Sequence, residues 1–490
     1  MNGKQHTMRK ALFIDDRFVA EMDGLTRRFH QAKPYTDNPV IHADRPWEGD
    51  AAFVDTGLVI FDEDEGLFKA WYQGGACYGP DDRSCMCYAL SEDGLHWEKP
   101  NLGQIEFEGA RDNNIALLAD CMMHDPAVII DHVEADPARR FKATWWGGRK
   151  NPSQPDDWLL GHCVGFSPDG VQWTEHPENP VWHGDAEVGA PFDIARRDGN
   201  LVMYSSADGH GMRVVARTES DDFVDWKLPP ELLFGYNEAD EPGTEFGGMA
   251  AIGYEGTHIG MLWVIRNLPG FSRAEWKEIV ERNQRQGFLG PPIQMNAAVC
   301  RTIHTELAVS SDGRNWQRAN RDVPFIALGG VGTWDECHSL AARPFVHDDK
   351  IWIYYTGGGR SIPTPGATEP EQIGDWSEDT GLATLRLDGF ASLHAEGAGE
   401  LLTEPLELHG SEMTVNVNAE NGEVRTALLD AKGEPVPGYT IDQARPIRGN
   451  HLRAPVRWQS EHDMSRLRGE TVQLRICLGK ADLYSVSIVE

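Results

Sequence analysis

Ser91-Glu92-Asp93-Gly94-Leu95-His96-Trp97 is one of several copies of a single pattern, and its recurrence decides how the rest of the chain reads. Ser167-Pro168-Asp169-Gly170-Val171-Gln172-Trp173 and Ser310-Ser311-Asp312-Gly313-Arg314-Asn315-Trp316 repeat it. Ser220-Asp221-Asp222-Phe223-Val224-Asp225-Trp226 keeps the Ser, Asp and Trp but has Phe in place of Gly, and Arg386-Leu387-Asp388-Gly389-Phe390 keeps only Asp-Gly and an aromatic. Ser and Asp side chains accept from backbone N–H groups of a tight turn, and Gly supplies a positive φ. The Trp then opens the next strand and wedges between sheets. One copy is an ordinary hairpin turn. Five copies mark a repeat architecture.

Working outward, each turn closes a unit of the same internal order. The first has Gly57–Phe61, Phe68–Tyr72 and Met86–Leu90, and the second Ala127–Ile130, Phe141–Trp146 and His162–Phe166. The third has Asp193–Ala195, Leu201–Tyr204 and Val214–Arg217, the fourth Met249–Ile252, His258–Val264 and Thr305–Val309, and the fifth Arg343–Val346, Ile351–Tyr355 and Leu382–Leu385. Short β-branched and aromatic runs bounded by Gly, Asp and Pro are strand signals. Tracts following each Trp, such as Ile105-Glu106-Phe107, are expected to add a fourth, outer strand. Four-stranded units repeated radially describe a five-bladed β-propeller.

A helical insertion over 272–287, with Ser272 as N-cap, is expected either to cover a channel mouth or to pack on the rim. Beyond Leu393 the turn pattern stops. Met413–Val417, Val424–Leu429, Val472–Ile476 and Leu483–Ile488 alternate about Asn-Gly and Lys-Gly turns, predicting an antiparallel β-sandwich. The expected organisation is all-β: an N-terminal arm over 1–45, the propeller over 46–394 and the C-terminal β-sandwich over 395–490. The strand near Leu12–Ile14 is a candidate to join the sandwich.

Asp and Glu number 77 against 45 Lys and Arg, a formal charge of −32. This speaks against nucleic acid or an anionic membrane as partner. No run of about 18 apolar residues occurs, and Met1–Lys10 has no apolar stretch, so neither a membrane span nor a signal peptide is expected. Eight scattered cysteines give no disulfide framework, and Cys85-Met86-Cys87 is weak as a metal pair. Reduced thiols in a cytoplasmic protein, with no cofactor and no metal, are the expectation.

Inner strands of a propeller converge on a channel, so acids at their starts share a pocket. Trp47-Glu48-Gly49-Asp50 and Asp55 stand there in the first unit, His124-Asp125-Pro126 in the second and Phe192-Asp193 in the third. Glu245-Phe246-Gly247 and Trp334-Asp335-Glu336-Cys337-His338 follow in the fourth and fifth. Rings stack on sugar faces and carboxylates bond hydroxyls or move protons, so this set suits a carbohydrate. Glu48, Asp125 and Glu245 are the candidate catalytic residues, with Trp47, Asp50, His124, Asp193, Asp335, Glu336 and His338 as candidate substrate-binding residues. For each, turn capping or a satisfied structural histidine is the plainer alternative. Gly357-Gly358-Gly359 lacks a following helix to cradle phosphate and reads as a turn.

Pro46-Trp47-Glu48, His124-Asp125-Pro126, the recurring Ser-x-Asp-Gly-x-x-Trp and Leu387-Asp388-Gly389-Phe390 resemble the five-bladed propeller glycosidases of the invertase/levanase and arabinanase type. The resemblance spans nearly the whole chain at the level of architecture. It implies three acids from different blades acting as nucleophile or base, transition-state stabiliser and general acid. Asp125-Pro126 resembles the second-blade Arg-Asp-Pro, with His for Arg, and maps to the stabiliser. The first-blade Asn-Asp-Pro-Asn-Gly is absent, leaving Glu48, Asp50 and Asp55 nearby. Glu245 is the preferred acid, with Glu336 and Glu187 behind it. The leading expectation is a glycoside hydrolase acting on a furanoside-type or small oligosaccharide. Alternatives are a non-catalytic carbohydrate-binding propeller, a six-bladed sialidase and a phosphorylase using Arg266, Arg343 and Arg360.

Overall fold

A computed structural model describes residues 6–7, 10–75, 84–119, 122–182, 188–197, 199–209, 212–268, 271–286, 300–359, 377–459 and 463–489. Each of the first four repeats is an antiparallel four-stranded meander. From inside out these are Ala52–Asp62, Leu67–Gly74, Cys85–Ser91 and Ile115–Leu118; His124–Ile130, Phe141–Asn151, Gln154–Ser167 and Thr174–Glu175; Val188–Arg197, Asn200–Gly209, Met212–Ser220 and Glu231–Phe234; and Thr244–Tyr254, Thr257–Leu268, Cys300–Ser310 and Trp316–Arg318. The fifth uses His338–Ala341 with Phe345–His347, then Lys350–Gly358, Glu378–Arg386 and, as its outer strand, Lys33–Pro34 from the start of the chain.

Inner strands of successive units pack against one another around the ring, and the fifth unit returns to Ala52–Asp62 of the first. A parallel bridge between Ala51 and Glu378 and a hydrogen bond from Thr380 Oγ1 to the Ala52 carbonyl (2.9 Å) seal that joint. The fold is a five-bladed β-propeller followed by a C-terminal β-structure.

Blade strands are buried on both faces, which is why they read as near-continuous apolar runs rather than as alternation. Trp71 faces the second blade beside Phe141 and Trp145, whereas Ala70 and Tyr72 face Tyr354 and Leu382 of the fifth. The same two-sided layering recurs at the other joints. Full burial of one such large side chain contributes roughly 2–3 kcal/mol.

The repeated turn is built as its sequence demands. Ser91 Oγ accepts from the N–H of Gly94 (2.8 Å), and Asp93 Oδ1 from those of Leu95 and His96 (2.8 Å each). Ser167/Asp169, Ser220/Asp222 and Ser310/Asp312 repeat this arrangement. Each turn also docks on the preceding blade. Tyr354 Oη donates to the Gly94 carbonyl (2.7 Å), Trp71 Nε1 to that of Gly170 (2.5 Å) and Tyr204 Oη to that of Gly313 (3.4 Å). Phe223, at φ 71°, adopts the glycine conformation and fills the second–third joint with its ring.

Two expectations for outer strands fail. Ile105-Glu106-Phe107 makes only a local bridge from Phe107 to Ala110, and Ile115–Leu118 is the outer strand of the first blade. After Asp388 the chain leaves for the C-terminal sheet, so the fifth blade borrows Lys33–Pro34.

That C-terminal sheet is organised on Thr471–Val489, which pairs along one edge with Glu412–Asp430 and along the other with Ala391–Thr403. Lys10–Leu12 adds to it through Ala11↔Val486, and Val19–Asp23 and Thr26–Phe29 pair with Ala391–Thr403. Bulges at 395/398, 416/417 and 418/423 bend these long strands about an apolar core containing Phe13, Tyr439 and Trp458. The fifth repeat's Asp388, at φ 59°, joins the two parts instead of capping its own turn. Its carboxylate accepts from Tyr254 Oη (2.6 Å), Lys10 Nζ (3.1 Å) and Ser485 Oγ (2.7 Å). Arg386 beside it donates to Asn416, Asn450 and the His451 carbonyl. Among the described residues no helix is long and apolar enough to cross a membrane.

Candidate functional site

Four inner strands carry a register shift near their starts: Phe53/Leu58, His124/Ala127, Val188 to Asp193, and Phe246/Gly248. A bulge re-aims side chains and is a recurrent device beside active sites. Asp125 lies in the second of these, at φ 53°, a left-handed conformation uncommon for a non-glycine residue. Its N–H donates to Gln73 Oε1 of the first blade (2.9 Å), while Gln73 Nε2 donates to the Gly75 carbonyl (3.1 Å). Burial pushes the Asp125 carboxyl above the usual carboxylate range; His124 and Arg213 oppose the rise, and the charge of Glu378 adds to it. His124 Nε2 stands 3.4 Å from Asp125 Oδ2. A buried carboxyl with a raised pKa, acted on by titratable groups from other blades, marks Asp125 as a candidate acid.

Glu378 opens the third strand of the fifth blade, and its N–H donates to the Asp50 carbonyl (3.2 Å). His338 Nδ1 lies 3.2 Å from Glu378 Oε1. This closeness requires Gly358, because a Cβ there would stand 2.4 Å from His338 Nδ1. Trp334 lies over Gly357 and Gly381, which likewise leave room for its ring. Gly357 and Gly358 are therefore strand residues, not the turn expected of Gly357-Gly358-Gly359. Asp335 accepts from Tyr355 Oη (3.0 Å) and Thr333 Oγ1 (3.0 Å), and Glu336 accepts from the Gly332 N–H, so both acids shape the loop that carries Trp334.

Glu245 is buried at the start of the fourth blade's inner strand. It accepts from the Arg213 N–H (3.3 Å) and Asn267 Nδ2 (2.9 Å). Asp193 is bound by the Arg343 guanidinium and the Ala251 N–H (3.0 Å). Phe192, Trp263 and Leu340, with Trp146 and Ile303 against them, form an apolar cluster drawn from four blades.

The structure gives Glu48 a different place from the expected pocket-facing one. It is fully buried, and its carboxylate accepts from the N–H groups of Asp44 (2.9 Å) and Arg45 (3.0 Å), Tyr72 Oη (2.6 Å) and Lys99 Nζ (2.8 Å). Four donors explain why a buried carboxylate is tolerated there. Trp47 packs on the first blade as well, donating to Asn114 Oδ1 (2.8 Å) and lying edge-on to Phe107. The Asp50 side chain is exposed. Asp55 falls within the first-blade bulge; its side chain, Glu187 and Arg360 lie outside the described residues.

Arg266 is bound to Asp322 and Thr244, and Arg343 to Asp193, so both expected phosphate ligands are already neutralised. The helix Arg273–Gln286 is capped by Ser272, whose N–H and Oγ both donate to Glu275. Its Trp276 and Ile279 pack on Met212 of the third blade, a rim position. No group of three or more His, Cys, Asp or Glu poised for a metal ion occurs among the described residues.

The site thus gathers Asp125, His124, Glu378, His338, Glu245 and Arg213, while Glu48 and Trp47 belong to a blade interior. Sequence reasoning missed Gln73, Glu378 and Arg213. A lone Gln closing the apolar run Phe68–Tyr72 was the available signal for the first, and a Glu-Asp pair opening a strand for the second.

No protein-family model and no curated protein matches this sequence. Among solved structures similar to it is a thermostable family-43 glycoside hydrolase, 14% identical, covering 71% of this protein and 95% of that one at a TM-score of 0.43. A member of the GH130 family of mannoside phosphorylases, described as containing glycoside hydrolases that target β-1,2 mannosidic linkages in Candida mannan, is 16% identical (73% and 94% covered, TM-score 0.43). The Bombyx mori GH32 β-fructofuranosidase BmSUC1 is 11% identical, with 94% of each protein covered and a TM-score of 0.41. None of these three reaches 0.5, and the fold assignment rests on the strand pairing itself.

Proposed function

We propose that the protein is a glycoside hydrolase acting on a furanoside-type or small oligosaccharide at the channel mouth. The observation that carries this is Asp125: a buried carboxyl, set in a bulge at the start of an inner strand, whose pKa is raised where acids of other blades converge. A carboxyl that keeps its proton is equipped to protonate a glycosidic oxygen. Glu245, at the start of the fourth blade's inner strand, joins Asp125 in the ring of acids, in preference to Glu48. Trp334 supplies an aromatic surface nearby. Cysteine thiols at Cys85, Cys87 and Cys477 agree with a reducing, cytoplasmic setting.

The test is a panel of nitrophenyl furanosides and pyranosides together with fructans, arabinans and galactofuranosides. Wild type should cleave at least one, and Asp125→Asn should lower its turnover about 10²–10⁴-fold while remaining folded. Saturable sugar binding without product from any substrate would instead mark a non-catalytic carbohydrate-binding propeller.

A further inference from the structure

We infer that Glu378, held by His338, is the carboxylate that works opposite Asp125. The inference deepens the hydrolase reading and rests on it for the chemical step alone. The two residues flank the entry to the first blade's inner strand. Glu378 bridges to Ala51 on one side. On the other, Asp125 is bonded to Gln73, whose Cα partner is Phe53 of that same strand. Both therefore stand at one end of the ring, brought there from the second and fifth blades.

Glu378 is positioned through its backbone and through His338. Its N–H is fixed by the Asp50 carbonyl at 3.2 Å. The His338 imidazole lies 3.2 Å from its carboxylate. The glycine at 358 clears the space for that ring. The charged groups acting on Asp125 are His124 on its own strand, Glu378 from the fifth blade and Arg213 from the third, and the charge of Glu378 raises the Asp125 pKa. A carboxyl whose protonated form is favoured by a neighbouring charge suits the role of acid, and the neighbour that of base.

In single displacement a water stands between the acid and the base. Asp125 gives its proton to the glycosidic oxygen as the C1–O bond breaks. The water oxygen bonds to C1 and its proton passes to Glu378. Solvent then returns a proton from Glu378 to Asp125.

The experiment has a readout free of substrate. The ¹³C carboxyl titration of Asp125, assigned by its loss in Asp125→Asn, is followed in wild type, Glu378→Gln and His338→Ala. Removing the facing negative charge should move the Asp125 midpoint to lower pH in Glu378→Gln. Removing the imidazole should move it less, because the Glu378 carboxyl itself stays in place. On a substrate that wild type cleaves, Glu378→Gln should lose at least 10²-fold in kcat with KM changed less than threefold. An unmoved midpoint overturns the pairing. A moved midpoint with undiminished kcat overturns the catalytic role. If wild type cleaves nothing, the titration still decides the pairing, while the hydrolase reading falls on its own.

Discussion

At the scale of the residue, the cost of Asp125's backbone is the informative quantity. A left-handed conformation costs a non-glycine residue roughly 1–2 kcal/mol, and the buried Gln73 side chain holds it in place through one N–H. Gln73→Leu removes that acceptor and leaves a buried N–H unpaired, a loss of about 1–3 kcal/mol. The variant should stay folded with a lowered Tm and lose 10–100-fold in kcat, since the bulge that aims Asp125 is freed. Calorimetry with steady-state kinetics checks both. The charge on Asp125 has its own stability signature. Burial raises its pKa in the folded state, so the folded state holds this proton more tightly than the unfolded state. Stability from this group is then greatest below the unfolded value of about 3.9 and falls as pH rises through the folded one. Asp125→Asn should accordingly raise Tm at pH 7 and change it less at pH 4. Asp125 was legible in sequence because Pro126 and an apolar strand follow it. Gln73, Glu378 and Arg213 were not, since each reaches the site from a second or third strand and only the ring brings those ends together.

At the scale of the element, the repeated turn shows two separate demands on one glycine. Gly170 sits at φ 79°, and a Cβ there would stand 2.5 Å from the Trp71 ring; Gly313 sits at φ 70°, with its nearest neighbour at 3.6 Å. Gly313→Ala should therefore cost only the backbone penalty, roughly 1–2 kcal/mol. Gly170→Ala adds overpacking and should cost about 2–4 kcal/mol. Urea titration of the two variants separates these contributions. Phe223 is the natural counterpart: at the second–third joint the ring fills space that Trp71 and Tyr354 occupy elsewhere. Counting these turns gave the number of blades directly, because turn chemistry is local. Outer strands escaped the same reading. Tracts of two to four residues carry too little pattern to distinguish an edge strand from a loop.

At the scale of the whole molecule, propeller and C-terminal sheet are fastened through Asp388 and Arg386. Asp388→Ala leaves Lys10, Tyr254 and Ser485 without their shared acceptor, and breaking a buried pair of this kind costs about 3–5 kcal/mol. The single unfolding transition should split in two in calorimetry, the propeller and the C-terminal sheet melting apart. The sequence marked Asp388 as a degenerate turn, but its altered duty depends on a sheet contributed by residues almost a hundred positions later. The borrowed outer strand of the fifth blade was invisible for a similar reason: Lys33–Pro34 carries no strand pattern and is defined only by Ala383 and Thr384.

That borrowed strand ties the calendar of synthesis to the geometry of the ring. At about 5–20 residues per second, roughly 20–70 s separate the emergence of Pro34 from that of Ala383. Throughout that interval the first blades have no last neighbour, and the opening segment has no edge to join. A nascent polypeptide of this shape is exposed to pairing with its siblings on a crowded polysome. Joining the present ends and opening the ring between two earlier blades would reorder that wait, giving a permuted protein whose yield reports how much the delay matters.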